Sequence, residues 1–216
     1  MKKLITIIAI LLSFSNIYAQ LFDGGIDFGL SASQIDGDGR GGYHRLGPVF
    51  NVYATININS EWKINSGIGY VMKGAYTGSK YEYFATNLNY AEIPLLVEYK
   101  PFNNVSFSAG FAYAYLFKGI QKTTFTIFDE NDLNLLNNEM SLLVSFNYFF
   151  NDKMTLRLST NYSLFPITNY QGSILTTNLI VYYLFYYGAT SQLWWNNSIR
   201  LTLRFNLFSE DKKNNS

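Results

Sequence analysis

The sequence contains no cysteine and a single histidine, His44, among its 216 residues. The missing cysteines exclude disulfides, thiolate metal sites and cysteine nucleophiles. One histidine cannot form a multi-histidine metal centre. Charged residues are also scarce, at 14% against about 25% in an average soluble domain. The 16 basic and 15 acidic residues nearly cancel, which argues against nucleic acid as a partner.

The first apolar run of the chain has the features of a targeting segment. Residues 4–14 (LITIIAILLSF) follow two lysines and precede small residues that end at Ala19. This order is typical of a cleaved secretory signal. We therefore predict a signal peptide over 1–19 and one exported domain over 20–216.

No later apolar run is long enough for a membrane helix, which needs about 20 residues. The longest is 179–187 (LIVYYLFYY), with nine residues. Residues 158–199 nevertheless contain no charged side chain at all. A soluble domain would rarely leave so long a segment uncharged, so the sequence favours a membrane protein that does not cross by helices.

Eight segments of the sequence alternate between apolar and small polar residues. A period of two is the side-chain period of a β-strand. The predicted strands are 25–33, 48–58, 62–73, 91–99, 105–118, 140–150, 154–164 and 197–208.

The connections between these strands alternate in length. Short ones lie near 59–61, 100–104 and 151–153, whereas long ones lie near 36–44, 74–86, 119–138 and 166–194. Short turns at one rim and long loops at the other are typical of an outer-membrane barrel. An even number of strands also returns both termini to the periplasmic side.

Alternation alone does not show which face points outward, because a lipocalin-like barrel has its apolar face inside. Water-facing positions should carry charges at about a quarter to a third of sites, but here the polar faces are mostly Gly, Ser, Thr, Asn and Ala. We therefore predict an all-β fold, an eight-stranded antiparallel transmembrane β-barrel with short periplasmic turns and long outer loops. Its expected location is the cell outer membrane.

One strand carries a family resemblance. Residues 90–99 (YAEIPLLVEY) resemble a strand of the PorT-like family of outer-membrane β-barrel proteins, and 100–116, with Gly110 in mid-strand, is also similar to that family. The resemblance implies an eight-stranded barrel in a Gram-negative outer membrane. It also implies a link to protein export of the type IX secretion kind. It implies no functional residues, because the shared motif is a structural strand.

Several charged residues fall on the inward faces of the predicted strands. A charge buried in a narrow lumen requires a partner. The fourth and eighth strands face each other in a ring of eight, so we expect Glu92 with Arg200 and Glu98 with Arg204, and Asp27 beside Arg204. We interpret this set as a structural network, with an ion or proton path as the alternative. The inward charges are Asp27, Lys63, Lys73, Glu92, Glu98, Arg157, Arg200 and Arg204.

The sequence offers few candidates for catalytic or metal-binding residues. His44 could act as a general base beside a serine and a carboxylate, as in a lipid-modifying outer-membrane enzyme, but triads are defined by geometry and not by spacing. The acidic, glycine-rich run 36–42 has Arg40 at its fifth position, where a calcium loop needs an oxygen ligand. We predict no catalytic, cofactor-binding or metal-binding residues, no cofactor and no enzyme activity.

The sequence therefore predicts a structural or interaction protein, such as an accessory to protein export or to the cell surface. The alternatives are a lipid-modifying enzyme and a narrow solute or ion channel. Expected partners are outer-membrane lipid and a protein bound through the outer loop 166–194, whose apolar, uncharged sequence would be an aggregation hazard if wholly exposed. We expect no nucleic acid.

Overall fold

Nine β-strands make up the fold in the computed structural model, which describes residues 22–78, 83–169 and 193–208. Within these ranges there is no helix long and apolar enough to cross a membrane. The strands are β1 (Phe22–Asp36), β2 (Arg45–Asn57), β3 (Trp62–Gly78), β4 (Tyr83–Phe102), β5 (Val105–Thr123), β6 (Ile127–Asp129), β7 (Asn138–Phe149), β8 (Met154–Ser163) and β9 (Trp195–Phe208).

Eight of the strands close into a ring. The sheet runs β4-β3-β2-β1-β9-β8-β7-β5, and a further pairing between β4 and β5 joins its two ends. Every pairing in the ring is antiparallel. Closure satisfies the backbone groups that an open sheet would leave unpaired in lipid. The predicted eight-stranded antiparallel barrel is confirmed, with the three-residue β6 as an addition beside β5.

The barrel is apolar on its outer wall and mainly polar in its lumen, as predicted. From Asn138 to Tyr148 along β7, exposed and buried residues alternate. The buried set includes Ser141, Ser145 and Asn147, whereas Leu142, Val144 and Phe146 are about 40% exposed. Large apolar side chains on the exposed face and small polar ones inside are the pattern of a membrane barrel and the reverse of a lipocalin.

Gly110 lies where two strands of the wall approach closely. A Cβ atom added there would stand 2.1 Å from the Leu95 carbonyl oxygen on β4. Glycine inside a strand often marks such an approach. The mid-strand glycine noted in the sequence therefore has a packing reason.

Strands extend into two of the predicted outer loops. β3 and β4 stay paired as far as Gly78 and Tyr83, so most of 74–86 belongs to the sheet. β5 continues to Thr123 and pairs with β6, which shortens the predicted loop 119–138. Alternation fails as a signal here because β3, β4 and β5 project beyond the neighbouring strands. Their inward face no longer lines a polar lumen, so it no longer has to be polar.

An apolar cluster closes the loop-side end of the lumen. Ile167, which is 0% exposed, follows β8 and crosses the mouth, where its backbone hydrogen-bonds to those of Leu136 and Trp194. The sequence predicted a polar lumen throughout, so this apolar end is a correction. The buried members are Ile35, Val49, Val71, Ala75, Phe84, Leu88, Tyr90, Ala114, Leu116 and Ile167, with Leu135 and Trp194 packed against them.

Two sequence predictions fall on segments outside the described residues. The signal peptide 1–19 is one of them. Most of the loop 166–194, including the run 179–187, is the other. Only its ends are described, and there Ile167 is buried and Trp194 is half-buried.

The outward apolar face gives the first prediction. Leu95, 60% exposed in the middle part of β4, becomes a lipid-facing charge in Leu95→Arg. We expect this change to lower the free energy of unfolding in lipid vesicles by about 2–4 kcal/mol, as measured by urea titration. The control is Phe102→Arg at the turn-side end of the same strand, where the cost near the interface is about 0–1 kcal/mol. Equal, small effects at both positions would indicate a water-facing wall.

Candidate functional site: the charge network of the lumen

The strands place charged side chains in the lumen at two levels. Arg200 and Arg204 lie four residues apart on β9, so both point inward. β4 lies opposite β9 in the ring and contributes Glu92 and Glu98. We call Lys73, Glu92, Glu139 and Arg200 the loop-side group, and Asp27, Glu98, Arg157 and Arg204 the turn-side group. All eight side chains belong to residues that are at most 7% exposed.

The loop-side group centres on an ion pair that crosses the lumen. Arg200 Nη1 and Nη2 lie 2.6 and 2.9 Å from the two carboxylate oxygens of Glu92. Lys73 Nζ lies 2.6 Å from Glu139 Oε1 and 3.7 Å from Glu92 Oε2. Asn196 Nδ2 donates a hydrogen bond of 2.7 Å to the other oxygen of Glu139. Each carboxylate therefore has at least one cation and a fixed orientation.

The turn-side group is joined in part through an amide. Arg204 Nε and Nη2 lie 2.8 and 3.1 Å from the two oxygens of Asp27. Arg204 Nη1 donates to Asn65 Oδ1 at 2.9 Å, and Asn65 Nδ2 donates to Glu98 Oε2 at 2.7 Å. Arg157 lies 3.6 Å from Asp27 and 4.0 Å from Glu98. Asn65 thus links the two halves of this group.

Each group contains two cations and two anions, so each is neutral by itself. Between them lies a cavity of about 40 Å³, lined by residues of both groups. Among the described residues, three of those lining it have buried polar atoms that form no hydrogen bond: Asn51 Oδ1, Arg157 Nη2 and Thr202 Oγ1. Such a space suits a few water molecules. It is too small for an organic substrate, since ligand pockets measure about 300–1,000 Å³.

The structure brings together two of the three expected pairs. Glu92 meets Arg200, and Asp27 meets Arg204, as the strand order predicted. The expected contact between Glu98 and Arg204 is replaced by the bridge through Asn65. The strands of a barrel are tilted and staggered, so residues at the same count from the rim on opposite strands lie at different heights. The prediction from residue counts did not include this offset.

The two lysines that were expected in the network lie at different levels. Lys63 pairs with Asp23 at 3.6 Å near the turn-side end of the lumen. Asn57 Nδ2 also donates to Asp23, at 3.0 Å. Lys73, in contrast, is fully buried in the loop-side group.

Sequence reasoning missed Glu139, which is 3% exposed and contacts Lys73. The predicted strand begins at position 140, two residues after the observed start at Asn138, because Glu139 follows the polar pair Asn137 and Asn138. The available signal is parity, because Glu139 shares the alternation of Ser141, a small polar residue of the same predicted strand. Extending the two-residue alternation of this strand by one step toward the N-terminus predicts that Glu139 points inward.

The residues considered for catalysis do not converge. His44 is exposed, and within the described ranges its imidazole has no hydrogen bond to a serine or a carboxylate. In the run 36–42, Asp38 Oδ1 accepts the backbone N–H of Arg40, and Asp36 accepts amide donors from Gln34 and Asn197. No group of three His, Asp or Glu side chains in the described part of the chain is placed to hold a metal ion.

Comparisons with known proteins point the same way as the fold. Residues 18–169 match the family described as outer membrane protein beta-barrel domain. No curated protein is significantly similar in sequence.

Three solved structures with a similar fold are distant in sequence from this chain. Ail, the attachment invasion locus protein of Yersinia pestis, is 10% identical over 87% of this chain and 99% of its own, with a TM-score of 0.48. Neisserial surface protein A is 11% identical over 85% and 96%, with a TM-score of 0.49. OprG from Pseudomonas aeruginosa is 11% identical over 86% and 92%, with a TM-score of 0.35.

The cross-lumen pair gives the second prediction. Glu92→Gln and Arg200→Met each leave a buried charge without its main partner, so each should lower the free energy of unfolding by about 3–5 kcal/mol, less if water enters the cavity. The double variant should lose less than the sum of the two single variants. Urea titration of the four proteins measures this.

A matched control lies at the turn-side end of the lumen. Lys63→Met removes a partly exposed cation paired with Asp23, and we expect a loss of about 0–1 kcal/mol. Additive losses for Glu92 and Arg200 would show that the two side chains do not interact.

Proposed function

Because the chain belongs to the outer membrane protein beta-barrel domain family, we propose that it is a closed barrel of the outer membrane that acts through its outer surface. In this role the barrel wall is a scaffold. Its loops and projecting strands make the contacts that matter to the cell, either with a protein or with the lipid around it. The function is then structural or interactive, and not catalytic.

The filled lumen is the observation that carries this proposal. The two neutral charge groups span the middle of the barrel, and the apolar cluster closes its loop-side end. Between the two groups remains a cavity of only about 40 Å³. Small barrels of eight strands are commonly filled by their own side chains, whereas an aqueous channel needs about 16 strands. A solute channel is therefore disfavoured.

The lipid-modifying enzyme has less support than the scaffold. It would need a base held by a second polar group within hydrogen-bond reach. Within the described ranges, the only histidine has no such partner and is exposed to solvent. We therefore propose that the protein is not an enzyme.

We propose export through a signal peptide cleaved after Ala19, so that the mature protein begins at Gln20. The basic start, the apolar run 4–14 and the small residues before Ala19 support this. The intact mass of protein purified from outer membranes tests it, since the expected mass is that of residues 20–216.

A narrower role as an accessory to protein export rests on the resemblance of 90–99 to the PorT-like family. The outer loop 166–194 supplies a candidate contact, because Tyr and Trp are favoured anchors in protein interfaces. Its run 179–187 has four tyrosines, and Trp194 and Trp195 follow. We propose a protein partner at this loop.

The closed lumen predicts the electrical behaviour of the protein. The purified barrel in a planar lipid bilayer should give no discrete conductance steps, because the two charge groups and the apolar cluster block the path of ions through the lumen. A porin measured in the same bilayer is the positive control. Regular single-channel steps from this protein would contradict the proposal and restore the channel alternative.

The partner at the loop has a separate test. Tyr183→Ala combined with Tyr186→Ala should abolish co-purification of the bound protein from detergent-solubilised membranes, as detected by mass spectrometry. The control is Phe125→Ala, which changes an exposed aromatic, 93% accessible, in another outer loop.

A folded barrel that has not been boiled migrates faster on a detergent gel than the boiled, unfolded protein. Both variants should keep this difference in mobility. Secretion components among the lost proteins would support the export role, and an unchanged set of co-purified proteins would contradict the proposed contact.

A further inference from the structure

A β-bulge in β5 turns a lysine toward the outside of the barrel. From Ser106 to Leu116 the even-numbered residues of β5 point into the lumen. The register then shifts: Tyr90 of β4 pairs with Leu116, but the adjacent Asn89 pairs with Lys118. Phe117 is the extra residue, and Phe117 and Lys118 are both exposed. Without the shift, Lys118 would point into the lumen.

Bulges commonly re-aim a side chain near a functional position. Here the result is a positive charge on the lipid-facing wall, beside a large aromatic. Lys118 forms no salt bridge within the described ranges. The carboxylate of Glu130 instead accepts the backbone N–H of Gly119, at 3.2 Å.

A second cation reaches the same part of the wall from β2. The Nη2 atom of Arg45 lies 3.8 Å from the sulfur of Met72, and a thioether is only a weak acceptor. Its Nε atom is buried without a hydrogen-bond partner among the described residues. Within the described chain, the Arg45 guanidinium therefore has only a weak acceptor and no carboxylate partner.

Arg45 lies beyond the paired part of β2 and β3, and only its side chain reaches the row of three strands that ends at Lys118. Met72 on β3 pairs in register with Asn89 on β4, which pairs with Lys118 on β5. The amide of Asn89 also donates to the Lys118 carbonyl oxygen at 3.1 Å. Two strand spacings of about 4.8 Å place β3 and β5 roughly 10 Å apart. Met72, which the Arg45 guanidinium contacts, and Lys118 therefore lie on the two sides of β4.

Aromatic rings mark the level of this row in the membrane. Tyr70 and Phe117 lie in contact on the wall, with ring centroids 6.1 Å apart. Tyr76 and Tyr83 form an edge-to-face pair further toward the loops. Aromatic girdles lie at the membrane–water interfaces of such barrels. The row thus lies at the headgroups of the leaflet on the loop side.

We propose that Arg45 and Lys118 form a binding site for the phosphate groups of a phosphorylated glycolipid in the outer leaflet. Arginine and lysine both suit phosphate, arginine through paired N–H donors and lysine as a point charge. Basic residues beside an interface bind anionic headgroups in the same way. The assignment of the leaflet rests on the proposed function, because it requires the loop side to face the cell exterior.

Binding of lipid A to detergent-purified protein, followed by native mass spectrometry, tests the site. Arg45→Gln with Lys118→Gln should weaken binding by roughly tenfold for each charge removed. Lys153→Gln is the matched control, because it removes an exposed charge in a turn at the opposite rim. Lys118→Arg keeps the charge and should keep binding. Heat-modifiable mobility on a gel shows that each variant is folded.

Two further probes identify the ligand. Lipid A without its phosphates and phosphatidylglycerol should both bind much more weakly than lipid A. Equal binding of either one would overturn the assignment to a phosphorylated glycolipid, as would unchanged binding by the double variant or an equal loss in Lys153→Gln. None of these results depends on conductance or on a protein partner, so failure of the lipid site is distinguishable from failure of the proposed function.

Discussion

The pairing of buried charges in the lumen is the constraint on which the rest of this barrel depends. An ion moved out of water costs several kcal/mol unless a partner and additional hydrogen bonds compensate it. The chain places eight such ions inside a ring of eight strands and arranges them as two neutral groups. Each of the four cations needs an anion at its own height in the lumen. The relative heights of the opposite strands β4 and β9 therefore have to be correct when the ring closes. A slip of one residue would turn these charges toward lipid.

This arrangement also decides where function can reside. A lumen filled by ion pairs, amides and an apolar plug leaves space for little more than water. The outer wall and the loop-side rim are the surfaces that remain available to partners. Lys118 on that wall and Arg45 at the loop-side end of β2 are cations without a carboxylate partner in the described part of the chain, whereas all four cations of the two lumen groups have one. The contrast separates charges that stabilise the barrel from charges available to a ligand.

The sequence predicted those features that depend on parity and strand order. Glu92 and Arg200 were paired correctly because both are inward positions on opposite strands. The bridge through Asn65 between Glu98 and Arg204 could not be predicted from the sequence. Strand tilt places residues with equal counts from the rim at different depths in the lumen. Lys118 points outward only because of a bulge, and a bulge breaks the period that sequence analysis relies on. The projecting parts of β3, β4 and β5 escaped prediction because their inward side packs against an apolar plug, so polarity no longer alternates.

The absence of cysteine from the sequence makes the filled lumen directly measurable. Ser159 lines the cavity between the two charge groups and is 6% exposed, whereas Ser60 is exposed in a turn. Each can be replaced by cysteine in turn and treated with a charged, membrane-impermeant thiol reagent in the folded barrel. The account predicts rapid labelling of Ser60→Cys and labelling of Ser159→Cys only after denaturation. Comparable labelling rates at both positions in folded protein would contradict the claim that paired charges close this lumen.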